Sequence, residues 1–169
     1  MNENWPEIVE DLSPYLETGR DENECLRGIG NCLRYLGWKK TNGTMVFGHK
    51  PVPGDGEPLQ PDICLCMKNG RNAPLPVLPV ITERQEQDTE KRLALFMKRS
   101  GFNVALYIGR NIGLYYRVPG GTEEPVRVLA AELRKDDTEG SAICDLLAYD
   151  GFNPEKMERF CKERYKETH

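Results

Sequence analysis

The order of apolar segments between residues 61 and 118 is the feature that most constrains the fold. An alternating strand pattern at 61–67 is followed by a second apolar strand at 77–81 and a helical pattern at 88–100. Residues 104–118 then read as two strands joined by a turn. Because a helix between strands must bury its apolar side, we expect it to pack on the sheet that the strands form. The sequence therefore predicts a mixed sheet carrying a helix.

Helical patterns flank this central region on both sides. A first helix is predicted from Pro6 to about residue 17, with a kink at Pro14, and a second from about Asp21 to a C-cap at Gly37. After the hairpin we expect another edge strand near Val126, a short helix around residues 143–147 and a final helix capped by Asn153. The predicted fold class is α/β (α+β), a mixed central sheet flanked by two N-terminal helices and helical C-terminal segments.

Size and composition indicate one globular domain. A chain of 169 residues buries enough apolar surface without disulfides or a structural metal. It has no apolar stretch approaching the roughly 20 residues that a membrane span requires. Its first residues lack the cationic start and apolar run of a secretory signal. We therefore expect one domain over residues 1–169, with an N-terminal helix in 1–19, located in the cytoplasm and not in a membrane.

The six cysteines lie in apolar segments, so they are interpreted as small core residues. Cys64 and Cys66 form a Cys-x-Cys pair, but the histidines His49 and His169 are not suitably spaced to complete a zinc site. The pattern Gly28-Ile29-Gly30 lacks a preceding strand, so no nucleotide cofactor is expected. The formal net charge of -4 repels phosphate backbones. Binding to DNA would therefore require a local patch or the help of another molecule.

Two sets of side chains are candidates for such a patch. Tyr107, Tyr115 and Tyr116 could stack on bases, although tyrosines in a hairpin more often pack across strands. Scattered basic residues could line one edge as a phosphate-binding strip, although such residues more often only solvate a surface. The basic candidates are Lys39, Lys40, Lys68, Arg71, Arg84, Arg92, Lys98, Arg99 and Arg110.

The order of four motifs resembles a known family. The motifs are Tyr-Leu-Gly-Trp at 35–38, Pro-Asp-Ile at 61–63, Lys-Arg-Leu-Ala-Leu-Phe-Met at 91–97 and Val-Ala-Leu-Tyr-Ile-Gly-Arg-Asn-Ile-Gly-Leu-Tyr-Tyr at 104–116. In this order they resemble the N-terminal nuclease domain of type I restriction-enzyme R subunits and its stand-alone relatives. The resemblance covers about residues 20–165. It implies a restriction-endonuclease-like PD-(D/E)XK fold and DNA cleavage that depends on Mg²⁺.

The resemblance also implies roles for individual acids. In such nucleases, carboxylates hold a hard cation against the phosphodiester while a lysine polarises the attacking water. Asp62, at the head of the alternating strand, would be a metal ligand, and Glu22, on the apolar stripe of the second helix, the helix-borne acid. From the residues alone, Asp62 also reads as a turn residue before a strand. Glu22 equally reads as a solvated residue in the first turn of a helix.

The Glu-x-Lys half of the family motif is altered in this chain. If Thr82 and Arg84 occupy the two positions, a neutral hydroxyl replaces a metal ligand, and arginine, with a pKa above ~12, cannot activate water. If Glu83 and Gln85 occupy them, two carboxylates remain for the metal but the cation is lost. Strand periodicity does not distinguish these registers, because each places its pair on one face. In the following helix, Arg92 stands where many relatives have glutamine.

Two functions follow from these residues. The first is a nuclease-fold protein with weak or lost Mg²⁺-dependent DNA cleavage, acting in nucleic-acid metabolism or defence. Its ligands would be Asp62 and Glu83, with Glu22 assisting and Arg84 or Gln85 at the former lysine position. The second is a non-catalytic module that binds nucleic acid or a protein partner, which the altered Glu-x-Lys favours. Whether the chain is an enzyme stays open, as does an unrelated α/β protein with the same order of elements.

Overall fold

The computed structural model describes residues 2–16, 22–47, 61–68, 74–82, 89–109 and 111–168. Five α-helices lie in these ranges: α1 Asn4–Leu12, α2 Glu22–Tyr35, α3 Thr89–Ser100, α4 Thr138–Leu147 and α5 Pro154–Thr168. A short 3₁₀ helix follows α1 at Ser13–Leu16. Six strands lie in the same ranges: β1 Met45–Phe47, β2 Ile63–Lys68, β3 Pro74–Thr82, β4 Val104–Ile108, β5 Asn111–Tyr116 and β6 Val126–Glu132.

The six strands form one sheet whose spatial order follows the chain, from β1 to β6. Neighbouring strands are antiparallel except β3 and β4, which run parallel with Val80 opposite Leu106 and Thr82 opposite Ile108. A parallel pair needs a crossover connection, and the segment containing α3 supplies it. The structure confirms the predicted class, an α+β fold with a mixed central sheet flanked by helices.

The sheet separates two apolar cores. The larger core combines residues of α1, α2, α4 and α5 with one face of the sheet, as Trp5, Leu33 and Leu147 illustrate. The smaller core lies under α3 on the other face. Its buried members are Ile81, Leu93, Phe96, Met97, Ala105, Tyr107 and Tyr115. Because successive strand residues point to opposite faces, the neighbours Val80 and Ile81 belong to different cores.

Strand β3 is longer than the sequence indicated, extending from Pro74 to Thr82 rather than from residue 77 to 81. Proline lacks a backbone N–H and is tolerated where no neighbouring strand requires that donor. In the described ranges, β4 pairs with β3 only at Val80–Thr82. The segment up to Pro79 pairs with β2 alone, so its prolines do not interrupt a strand that is paired on both sides.

Other predicted boundaries are close to the observed ones. Helix α1 begins at Asn4 rather than Pro6, because proline is tolerated anywhere in a first turn, where the N–H has no helical acceptor. The α-helix ends at Leu12, and the chain passes Pro14 as a 3₁₀ turn instead of a kinked helix. The Asn153 side chain accepts hydrogen bonds from two backbone N–H groups at the start of α5, which confirms its capping role.

The cysteines are core residues, as predicted, with Cys25 only partly buried. Burial raises the pKa of the Cys32, Cys144 and Cys161 thiols to about 12, so these thiols stay protonated at neutral pH. None of the helices in the described ranges is long and apolar enough to cross a membrane.

Helix α1 is fixed to α4 by a tryptophan that packs on a glycine. Trp5 is fully buried, and its indole N–H donates a 2.8 Å hydrogen bond to the carbonyl of Arg134. A Cβ atom built on Gly140 would lie 2.1 Å from Cε2 and Cζ2 of this ring. Any larger residue at position 140 would therefore displace Trp5.

We expect Gly140→Ala to lower the free energy of unfolding by about 1–3 kcal/mol, because overpacking against Trp5 outweighs the better helix propensity of alanine. Chemical denaturation monitored by circular dichroism measures this. In a Trp5→Leu background the same substitution should become neutral or stabilising, since the ring is gone. An equal cost in both backgrounds would contradict the contact.

Candidate functional site

Asp62 lies where β2 begins and β3 ends. It directly precedes β2, and its backbone N–H donates a 3.1 Å hydrogen bond to the carbonyl of Val80. The antiparallel register places Ile63 opposite Val80. The first residues of β2 therefore lie beside the last residues of β3, and Asp62 is brought next to Thr82.

The Asp62 carboxylate is held by two neighbouring elements. Its Oδ2 accepts hydrogen bonds from the backbone N–H of Thr82 at 2.8 Å and from the Thr82 hydroxyl at 3.2 Å. From the first turn of α3, Arg92 places one guanidinium nitrogen 3.4 Å from Oδ2 and the other 3.4 Å from Oδ1. The guanidinium fork thus spans both oxygens of the carboxylate.

The Asp62–Arg92 ion pair matters for stability because the carboxylate is buried. The Asp62 side chain is 1% exposed and that of Arg92 is 19% exposed. A carboxylate taken out of water costs several kcal/mol unless hydrogen bonds and an opposite charge compensate it. Thr82 supplies hydrogen bonds, and Arg92 supplies a positive charge on the side of the carboxylate nearer to solvent. The three residues form a compact unit, which we call the Asp62 site.

The residues of the Asp62 site do not fit a Mg²⁺ ion. Mg²⁺ requires oxygen ligands at about 2.0–2.1 Å in octahedral geometry. Here both oxygens of Asp62 face a guanidinium cation, and Thr82 offers only a neutral hydroxyl. Within the ranges that the structure describes, no group of three or more His, Cys, Asp or Glu residues could hold a metal ion.

The other residues that the sequence singled out are not placed at this site by the described structure. Glu22 is the first residue of α2, but its side chain lies outside the described part of the molecule. Glu83, Arg84 and Gln85 also lie outside the described residues. Their roles as ligands or as replacements for the family lysine stay predictions. Thr82, from the alternative register, contacts Asp62.

The three tyrosines of the hairpin are buried, in agreement with packing rather than base stacking. Tyr107 and Tyr115 meet edge to face in the smaller core, with ring centroids 6.5 Å apart. The Tyr115 hydroxyl donates a hydrogen bond to Glu90 of α3. Burial, followed by this hydrogen bond, raises the pKa of Tyr115 well above its ordinary value.

The basic candidates whose side chains the structure describes come from two elements, the turn after α2 and helix α3. Lys39 and Lys40 are exposed in the turn after α2, with the Lys40 ammonium 5.6 Å from the Phe47 ring centroid. Lys98 and Arg99 lie at the end of α3, and Lys98 pairs with Glu124. The side chains of the remaining candidates, apart from Arg92, lie outside the described part of the chain; they are Lys68, Arg71, Arg84 and Arg110. In the sequence, Arg92 stands where many members of the family have glutamine. That difference alone does not indicate its contact with Asp62.

Comparison with known proteins supports the fold. No family model matches the chain, and no curated protein matches it. Among solved structures, the chain is similar to one described as the cryo-electron-microscopy structure of a DrdV–DNA complex, with a TM-score of 0.53 and 12% sequence identity. The match covers 86% of this chain and 14% of that chain. At this identity the likeness concerns the fold alone.

We expect Arg92→Met to lower the free energy of unfolding by about 2–4 kcal/mol, because it removes a positive charge that faces both oxygens of a buried carboxylate. Adding Asp62→Asn should recover part of this loss, since no buried charge remains. The matched control is Lys98→Met on the same helix, whose partner Glu124 is 67% exposed; it should cost at most about 1 kcal/mol. Denaturant unfolding of the four proteins would contradict the assignment if Arg92→Met and Lys98→Met cost the same.

Proposed function

We propose that this chain is a nuclease-fold module that binds nucleic acid, with weak or lost Mg²⁺-dependent cleavage, and that it works in nucleic-acid metabolism or defence. The observation that carries the proposal is the contact of the Arg92 guanidinium with both carboxylate oxygens of Asp62. The resemblance to the nuclease domain of type I restriction-enzyme R subunits makes Asp62 the residue where a catalytic cation would be expected.

Weak or lost cleavage follows from the charges at the Asp62 site. A divalent cation at the carboxylate would meet the positive charge of Arg92 at short range, which opposes binding. The adjacent strand contributes the neutral hydroxyl of Thr82 at 3.2 Å instead of a second carboxylate. Residual cleavage would depend on Glu83 as the second ligand, assisted by Glu22, with Arg84 or Gln85 replacing the lysine.

Binding to nucleic acid is supported by the distribution of charge around the site. The whole chain has a formal net charge of -4, yet α3 carries the basic residues Lys91, Arg92, Lys98 and Arg99 against one acid, Glu90. Helix α3 lies on the same face of the sheet as Tyr107 and contacts the Asp62 site through Arg92. Arg92 and Lys98 also face the acids Asp62 and Glu124, but the helix keeps a positive excess on an acidic protein. This excess is the local patch that contact with phosphates requires.

We expect titration calorimetry to find little or no binding of Mg²⁺ or Mn²⁺ to the wild-type protein, and no difference for Asp62→Ala. Plasmid nicking in the presence of either metal should be weak or absent in both proteins. Circular dichroism checks that the variant is folded. Metal binding and nicking that both disappear in Asp62→Ala would instead establish a working nuclease and favour Glu83 as the second ligand.

We expect binding of a fluorescent DNA duplex, followed by anisotropy, to weaken steeply as salt is raised, because phosphate contacts release counterions. The exposed residues Lys91 and Lys98 of α3 should each contribute to binding. Changing both to glutamine should make the negative slope of log K against log salt shallower by about 1–2. The matched control is the double change Lys156→Gln and Lys162→Gln on α5, which packs on the opposite face of the sheet.

The outcome of this titration also tests the second function. If the folded protein binds neither duplex nor single-stranded nucleic acid in a salt-dependent manner, a protein partner becomes the better proposal. Equal effects of the α3 and α5 changes would show that net charge, and not a patch on α3, determines binding.

A further inference from the structure

We propose that Arg92 is a built-in cation that takes the place of a divalent metal ion at Asp62 and keeps a latent metal site closed. This inference rests on the proposed function, because it explains how a nuclease fold can retain its acidic residue without using a metal. It also goes further, since it assigns the loss of metal binding to one side chain of α3.

The position of the guanidinium is the first support. A cation bound by a carboxylate lies in front of its two oxygens, and the two terminal nitrogens of Arg92 are each 3.4 Å from one of them. Arginine is suited to this place because its planar fork matches the geometry of a carboxylate. The charge of Arg92 therefore stands where a metal ion would have to bind Asp62.

The second support is the way in which the carboxylate is oriented. Thr82 holds Oδ2 through its backbone N–H at 2.8 Å and its hydroxyl at 3.2 Å. The backbone of Asp62 is fixed by its own hydrogen bond to Val80. These contacts do not involve Arg92. The carboxylate is therefore expected to keep its orientation when Arg92 is shortened, and a preorganised carboxylate is what a cation site needs.

The third support is that the Arg92 side chain lies between the Asp62 carboxylate and solvent. The Asp62 side chain is 1% exposed, whereas Arg92 is 19% exposed and comes from the helix above the strand ends. Shortening Arg92 would open a path from solvent to a buried negative charge. Mg²⁺ and Mn²⁺ keep several of their water ligands when only one or two carboxylates bind them, so the opened space would admit a partly hydrated ion.

If the Arg92–Asp62 ion pair has a purely structural role, a different result is expected. In that case removal of Arg92 would destabilise the protein to the same extent with or without divalent cations. If Arg92 replaces a metal, a divalent cation should restore part of the stability that the protein loses with Arg92. The response to metal therefore separates the two roles, whereas the loss of stability alone does not.

The experiment is thermal unfolding of the full chain with EDTA, with Mg²⁺ and with Mn²⁺. The wild type should melt at the same temperature in all three. Arg92→Ala should melt about 5–15 °C lower in EDTA and recover part of this shift with Mn²⁺. Asp62→Asn/Arg92→Ala should show no response to metal. Lys98→Ala, which removes a cation from the same helix, should melt at one temperature in all three conditions, because it leaves Arg92 in front of Asp62.

A second pair of variants decides the case in which Arg92→Ala does not fold in EDTA. Arg92→Lys keeps a positive charge and should remain insensitive to metal, whereas the neutral Arg92→Gln should bind Mn²⁺ in titration calorimetry through Asp62. The inference is overturned if neither Arg92→Ala nor Arg92→Gln responds to metal. It is also overturned if the wild type binds Mn²⁺ and loses that binding in Asp62→Asn.

DNA binding of the same proteins in EDTA keeps this inference apart from the proposed function. A wild type that binds DNA, together with variants that ignore metal, would refute the role of Arg92 and leave the proposed function standing. Variants that gain metal binding, together with a wild type that does not bind DNA, would refute the proposed function and leave the role of Arg92 intact.

Discussion

The parallel pairing of β3 with β4 is the constraint on which the arrangement of this molecule depends. Every other neighbouring pair in the sheet is antiparallel, so only this step forces the chain to cross over the sheet. Among the helices of the described ranges, the crossover places α3 on one face and leaves α1, α2, α4 and α5 on the other. It also carries Arg92 to the strand ends where Asp62 lies. The geometry of the candidate site is therefore a consequence of one strand pairing.

The face covered by α3 differs in character from the opposite face. Four helices bury the larger core, which includes both tryptophans, Trp5 and Trp38. The smaller core consists of seven buried residues among those described, and its helix presents exposed basic residues such as Lys91 to solvent. One face thus supplies most of the apolar burial that stabilises the fold. The face under α3 combines a small core with the charged side chains on which the proposed function rests.

Strongly periodic segments could be predicted from the sequence, whereas long-range contacts could not. The alternation at β2, the apolar stripe of α3 and the cap at Asn153 each depend on neighbours within a few residues, and all three are confirmed. The extension of β3 through Pro74 was missed because a proline counts against a strand unless one of its sides is known to be unpaired. Asp62 was placed correctly at a strand start. Its contact with Arg92 joins residues 30 apart, and no local pattern encodes such a pair.

The contact between Trp5 and α4 has a consequence for how the protein folds during synthesis. The indole of Trp5 hydrogen-bonds to a carbonyl 129 residues further along the chain, and Asn2 bonds to Ser141 in the same region. These early residues leave the ribosome long before their partners are made. Trp5 therefore lacks its contacts with Arg134 and Gly140 until that part of the chain has been synthesised. The larger core is therefore completed only after α4 and α5 have been synthesised.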